Sequence, residues 1–195
     1  MYHIRLLQDR TFYETLTRFD EDLAEQVRAG GCRCGGRLHR AAYPRKPRGG
    51  PTDLGPAYDR RHSFCCDREG CRRRATPASL RFLGRRVYLG VVVVLVSIMA
   101  HGLTSTRLAQ LRDDLGGSLN VRTLARWRTW WREAFPQSPF WKHARGRFAA
   151  PMDRRRLPAA LLARFRGTTL RLRLHALLQF LAPLTGSGAG SLRDG

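Results

Sequence analysis

The stretch "GGCRCGGRLHR" at residues 30–40 decides how this chain is read, because "HSFCCDREGCRRR" at residues 62–74 answers it. All five cysteines of the 195-residue sequence lie in these two places. An odd number of clustered cysteines, behind a start ("MYHIRLLQDRTFYETL") that lacks a basic region and an apolar run, points to metal binding in a reducing cytoplasm rather than to disulfides. A structural zinc site takes four soft ligands as two close pairs in a tetrahedron. Cys32 and Cys34 make the first pair, on a turn that Gly35 and Gly36 let fold back. For the second pair, strand alternation in "HSFCC" puts Phe64 and Cys66 on one side and Cys65 on the other. Cys71 follows the turn residue Gly70. The expected ligands are therefore Cys32, Cys34, Cys66 and Cys71, with Cys65 as substitute and His39 or His62 as further alternatives. Four protein ligands leave no open coordination position, so the expected cofactor is one structural zinc per chain. A loop-rich segment of this length has too little core to fold without it.

The formal net charge is +21, carried by 34 arginines and two lysines, Lys46 and Lys142. A GC-rich genome explains arginine over lysine but not the scarcity of acids. So large a charge makes a compact state repel itself and implies a polyanionic partner. The first 25 residues are net −3, which leaves the basic remainder as the part that meets the polyanion.

Helical signals surround the cysteine segment. Residues 11–28 place Phe12, Leu16, Phe19, Leu23 and Val27 at helical spacing, with Thr11 and Glu14 as a capping box and Gly30-Gly31 as the stop. Residues 87–103, "VYLGVVVVLVSIMAHGL", are the hydrophobic high point. They are shorter than the roughly 20 apolar residues of a membrane span and read as one buried helix, with a strand or a membrane anchor as the alternatives. Leu108, Leu111 and Leu115 then mark a short helix stopped by Gly116-Gly117. Ser118 or Asn120 caps a second, whose apolar face is Val121, Leu124, Trp127 (or Ala125) and Trp131. Two helices joined across Gly-Gly match the helix-turn-helix pattern, in which the start of the second helix meets base edges. Asn120, Arg122, Thr123 and Arg126 stand where bases are read, and Arg128 and Arg132 where phosphates lie. Arg45, Lys46 and Arg48 in the spacer and Arg72, Arg73 and Arg74 after the last cysteine add phosphate contacts. Trp127, Trp130 and Trp131 read as core, with single-strand base stacking as the alternative.

In this order, C-x-C-G-G, F-x-C-x4-C-R-R-R-x-T-P, a hydrophobic helix, "GLTSTRLAQL" and "LNVRTLARWRTWWRE" resemble the N-terminal half of bacterial insertion-sequence transposases. The resemblance covers about residues 30–135. It implies a zinc ribbon followed by a helix-turn-helix that recognises element ends. Two departures are visible. The C-x-C knuckle is shorter than the family's CxxC, and after residue 134 the only acids are Asp153 and Asp194, too few for that family's metal-binding acidic triad. No other catalytic set and no small-molecule site is expected, so the chain reads as a non-enzyme.

The expected architecture is mainly α: an N-terminal amphipathic helix (1–29), a small zinc-ribbon β module with a basic loop (30–84), a helix-turn-helix bundle (85–136), a basic linker with a C-terminal helical hairpin (137–184) and a disordered tail (185–195). The expected partner is double-stranded DNA. RNA binding or ribonucleoprotein assembly is the second reading, and membrane association through residues 87–103 the third.

Overall fold

Asp9 sets the start of the longest described helix. Helix α1 (Tyr2–Leu7) leads into α2 (Arg10–Ala29), and the Asp9 carboxylate accepts from the Phe12 N–H at 3.1 Å. The cap is thus Asp9 rather than the expected Thr11/Glu14 box. Thr11 already lies inside the helix, where its carbonyl accepts from Thr15, and Glu14 is held by Arg10 at 3.0 Å. Past the end of α2, Gly31 adopts φ +64, a left-handed turn that suits glycine.

The computed structural model describes residues 2–45, 50–51, 54–83, 90–99 and 120–186, with 104, 106 and 109. Lys46, Arg48, the expected first helix of the pair with its Gly116-Gly117 turn, and residues 187–195 lie outside these.

Helix α2 serves two cores. Phe12, Tyr13 and Leu16 are buried in the larger one, while Ala24 is buried in the smaller one with Val27 packed beside it. The smaller core forms on a three-stranded antiparallel sheet, β1 (Leu38–Arg40), β4 (Phe64–Cys66) and β5 (Arg74–Ala75), in the order β1-β4-β5. Leu38 faces Cys66 and Phe64 faces Ala75 across it. Strands β2 (Tyr43–Pro44) and β3 (Arg60–Arg61) pair separately and lengthen the same β1/β4 hairpin, with Ala41 N–H bonded to the Ser63 carbonyl at 2.8 Å between the two pairings.

The larger core is helical. The valine run forms helix α3 (Gly90–Met99), buried at every residue from Gly90 to Ser97. β-Branched residues favour strands when one face is solvated. Here apolar neighbours surround the segment on all sides, so burial outweighs propensity. No described helix is long and apolar enough to cross a membrane.

Helix α4 (Val121–Thr129) packs on α3 and runs on through a π turn (Trp130–Ala134) into a last α turn (Phe135–Gln137). Pro136 gives a physical reason for that widening. It has no N–H for the Arg132 carbonyl, and its ring would strike that carbonyl in a regular α turn. The Phe135 N–H instead reaches back to the Trp130 carbonyl. Ser138 caps the following helix α5 (Pro139–Ala144) through Trp141 N–H at 3.1 Å.

The expected C-terminal helices shorten to α6 (Ala159–Leu162) and α7 (Leu170–Leu181). After Leu162 the hydrogen bonds tighten, Arg164 to Leu161 and Phe165 to Leu162, and Phe165 turns in to meet Phe148 and Phe180. The described residues are mainly α, with one small cysteine-bearing sheet at the end of α2.

Candidate metal centre and nucleic-acid interface

Two tight turns bring four thiols together. In the first, the Gly35 N–H bonds the Cys32 carbonyl at 2.8 Å and the Cys32 N–H bonds the Gly36 carbonyl at 2.9 Å. Gly35 sits at φ +83, and a Cβ on Gly36 would lie 2.6 Å from Cys66 Sγ. Only glycine leaves room for the opposite sulfur. The second turn joins β4 to β5: Cys71 N–H bonds the Arg68 carbonyl at 3.1 Å, and Gly70 takes φ +80. The knuckles also hold each other. Asp67 accepts from Arg37 N–H at 2.9 Å and returns its own N–H to the Arg37 carbonyl at 3.1 Å, while the Arg68 guanidinium bonds the Cys34 carbonyl.

Cys32 and Cys71 sulfurs stand 3.8 Å apart and those of Cys34 and Cys66 3.4 Å, and all four lie within 4.8 Å of one another. Cys32, Cys34, Cys66 and Cys71 can therefore hold a metal ion. Cys65 is outside the group, on the other face of β4, with its sulfur 3.7 Å from the Arg72 carbonyl. The alternation of a strand thus separates the neighbouring cysteines. His39 turns to Asp67, 3.3 Å away and exposed, and His62 is half-buried outside the group.

The electrostatics of the four thiols are those of one coupled group. The Gly36 N–H, assisted by the Cys71 and Cys66 thiols, pulls Cys34 down to about 6. Cys66 goes the other way, to about 12: the Arg68 N–H opposes the rise, and burial with the Cys34 thiol drives it. Cys71 is also raised, against the pull of the Arg73 N–H, by the Cys34 thiol and burial. One thiolate, at Cys34, forms readily beside Cys66 and Cys71, whose protons a cation entering the group would displace.

The basic residues fall in three settings. Arg72, Arg73 and Arg74 are exposed, at and after the second knuckle, and Arg72 takes φ +42. Arg45 is half-buried at the end of β2, its N–H on the Asp59 carbonyl at 2.7 Å. On α4 the outcome is mixed. Arg122, Arg126 and Arg132 are exposed and Arg128 half-buried. Asn120 is the cap, its carbonyl oxygen 2.9 Å from Arg122 N–H, and Thr123 is buried and accepts from Arg126 at 3.2 Å. Val121, expected in the apolar face, is 53% exposed, while Leu124, Trp127 and Trp131 are buried as expected. Trp130 is half-buried against Trp131 and Phe135, with ring centroids 4.6 and 5.4 Å away.

A buried junction, not foreseen from sequence, fixes the sheet to the helices. Asp20 accepts from Ser79 Oγ at 2.5 Å, Leu80 N–H at 2.6 Å and Arg81 Nε at 2.8 Å. Arg81 also donates to the carbonyls of Tyr58 (2.8 Å) and Arg60 (3.2 Å). An aspartate among the apolar positions of α2, four residues after Leu16, was the available signal.

No family model matches this chain, and no curated protein or solved structure matches it.

Proposed function

We propose that this chain holds one zinc ion on Cys32, Cys34, Cys66 and Cys71 and uses the resulting ribbon, with α4, to bind duplex DNA without catalysing a reaction. Zinc suits the site chemically. At a zinc–thiolate distance of about 2.3 Å the sulfurs of a tetrahedron stand about 3.8 Å apart, against the 3.4 and 3.8 Å found. Four thiolates around a divalent ion leave a negative centre, which Arg33, Arg37 and Arg68 on the two knuckles offset.

The observation that carries the binding reading is how the charges are distributed. Four of the six acids in residues 1–25 have cations of their own: Asp9 with Arg171, Glu14 with Arg10, Asp20 with Arg81, and Glu25 with Arg28 and Arg40. Arg72, Arg73, Arg74, Arg122 and Arg132 instead face solvent with no described acid opposite them. Free guanidinium groups on a chain of net charge +21 suit phosphates, which they grip in bidentate fashion. Duplex is favoured over single strands because Trp127 and Trp131 are buried and Trp130 is packed on its neighbours, so those rings offer no open stacking platform. The order of motifs favours a role like that of the N-terminal halves of insertion-sequence transposases, recognition of DNA ends.

The test is metal analysis and competition on full-length chain purified under reducing conditions. One zinc per chain, with duplex DNA displacing structured RNA at fixed salt, is the expected result. Absence of metal overturns the centre, and displacement in the opposite order makes the chain an RNA binder.

A further inference from the structure

We infer that residues 142–166 form a second phosphate-binding surface, continuous with α4, that grips the backbone of a nucleic-acid duplex. The inference rests on the nucleic-acid reading above and extends it to a segment outside the ribbon and the recognition helix.

The segment carries eight Arg and Lys and a single acid, Asp153. All eight cations are exposed. Asp153, whose carboxylate caps the Arg155 N–H at 2.9 Å, offsets one of these eight charges and leaves the segment strongly basic. Three consecutive arginines, Arg154, Arg155 and Arg156, occupy one 3-10 turn. At about three residues per turn their side chains splay around it. Three like charges so close, offset only by Asp153, disfavour the folded state unless a polyanion relieves them.

The surface is rigid and well placed. Phe148 stacks on Trp141 with centroids 6.0 Å apart and meets Phe165 edge-on at 6.2 Å and Phe180 at 5.5 Å. That cluster fixes the backbone carrying Arg145 and Arg147 against the one carrying Arg164 and Arg166. Arg164 bonds the Pro151 carbonyl at 2.9 Å, closing the loop between them. The Arg154–Arg156 turn packs against the Trp130–Ala134 turn of α4, which carries the exposed Arg132. The basic face therefore runs from the C-terminal half of α4 into this lobe.

The surroundings select the occupant. A basic surface alone adsorbs weakly and reversibly to an anionic membrane, and stable attachment takes inserted apolar side chains as well. The large exposed hydrophobics among the described residues are Val121 and Leu172, neither in this segment. Single strands would need open aromatic rings, and Trp141, Phe148 and Phe165 are occupied with one another and with Phe180. A phosphate backbone needs only the cations.

The experiment compares full-length parent, an Arg154→Ala/Arg155→Ala/Arg156→Ala variant and the corresponding triple Lys variant, each checked for parental circular dichroism. Affinity for a duplex oligonucleotide is measured between 50 and 200 mM salt. Loss of three phosphate contacts lowers the log–log salt slope by about 2.7, so parent and Ala variant converge by roughly 40-fold in relative affinity over that range. The Lys variant, which keeps the point charges, retains most of the slope. A parent that binds duplex with an unchanged slope in the Ala variant overturns this surface alone. A parent that binds neither duplex nor structured RNA overturns the nucleic-acid reading itself. Loss of binding to phosphatidylserine vesicles in the Ala variant, with duplex binding intact, assigns the surface to a membrane and overturns the inference.

Discussion

Asp20 and Arg81 form an ion pair with both side chains fully removed from solvent, Oδ2 to Nε 2.8 Å. Three donors converge on the carboxylate, and the guanidinium lies 5.1 Å from the ring centres of both Tyr58 and Phe82. Removing one partner of such a pair strands a charge in a poorly polarisable interior, which costs about 3–5 kcal/mol. Asp20→Ala should lower the unfolding free energy from urea titration by that amount at pH 7. Adding Arg81→Met to Asp20→Ala should recover part of it. A single variant as stable as the parent in urea titration would show that the junction is incidental.

The four-thiol group and the large core belong to separate clusters of buried side chains, joined by α2 and the Asp20–Arg81 junction, so their losses should separate too. In a Cys32→Ser/Cys71→Ser variant, the metal proposed for the four-thiol group should be lost and limited proteolysis should cut within residues 30–75. Far-UV circular dichroism keeps most of its helical signal, because α3, α4 and α7 pack in the other core. The Cys65→Ser variant, altering a thiol outside the group, keeps its metal. Equal metal loss in both variants would move the centre from the four-thiol group to Cys65.

How far the sequence could be read depended on how local the physics was. The grouping of Cys32, Cys34, Cys66 and Cys71 was legible because strand alternation at Phe64-Cys65-Cys66 and the Gly70 turn are short-range facts. The helix over the valine run was legible from its length. The Asp9 cap was not, since the choice between Asp9 and Thr11 depends on whether Glu14 is free or held by Arg10. Asp20 and Arg81 are 61 residues apart; the place of Asp20 four residues after Leu16 marks it as inward-facing, but nothing local shows which residue answers it. The exposure of Val121 and the burial of Thr123 depend on how α4 is rotated against α3, which periodicity leaves uncertain by one position.

His175 gives a pH dependence of definite sign. It packs on Phe19 with ring centroids 4.3 Å apart, and its buried Nε2 has no hydrogen-bond partner. Burial lowers its pKa below the ordinary histidine value, and burial with the Arg81 charge does the same at His62. A histidine whose folded pKa is depressed takes up protons more readily when unfolded. Stability is therefore full above the unfolded value and falls as pH drops through it, near 6.5, toward the depressed folded value. Thermal midpoints should fall between pH 7 and pH 5. His175→Leu, which removes both the titration and the unpaired nitrogen, should raise the midpoint at pH 5 more than at pH 7. An equal rise at both pH values would assign the gain to packing alone.

Rotation of α4 sorts its polar residues into exposed and buried ones. Arg122 and Arg126 are exposed on the first turns, where a recognition helix meets base edges, and a well-made bidentate Arg–guanine contact discriminates by about 1–3 kcal/mol. Arg122→Ala/Arg126→Ala should bring preferred and scrambled duplexes to within a few-fold of each other. Arg73→Ala/Arg74→Ala, beside the metal centre, should weaken both duplexes equally and reduce the salt slope by about one per contact. Thr123→Val should leave sequence preference unchanged, because Thr123 is buried and its hydroxyl serves only to accept from Arg126. Binding-site selection on the parent and these variants checks all three. Unchanged preference in the Arg122/Arg126 variant would mean that α4 holds phosphates and that sequence is read elsewhere on the chain.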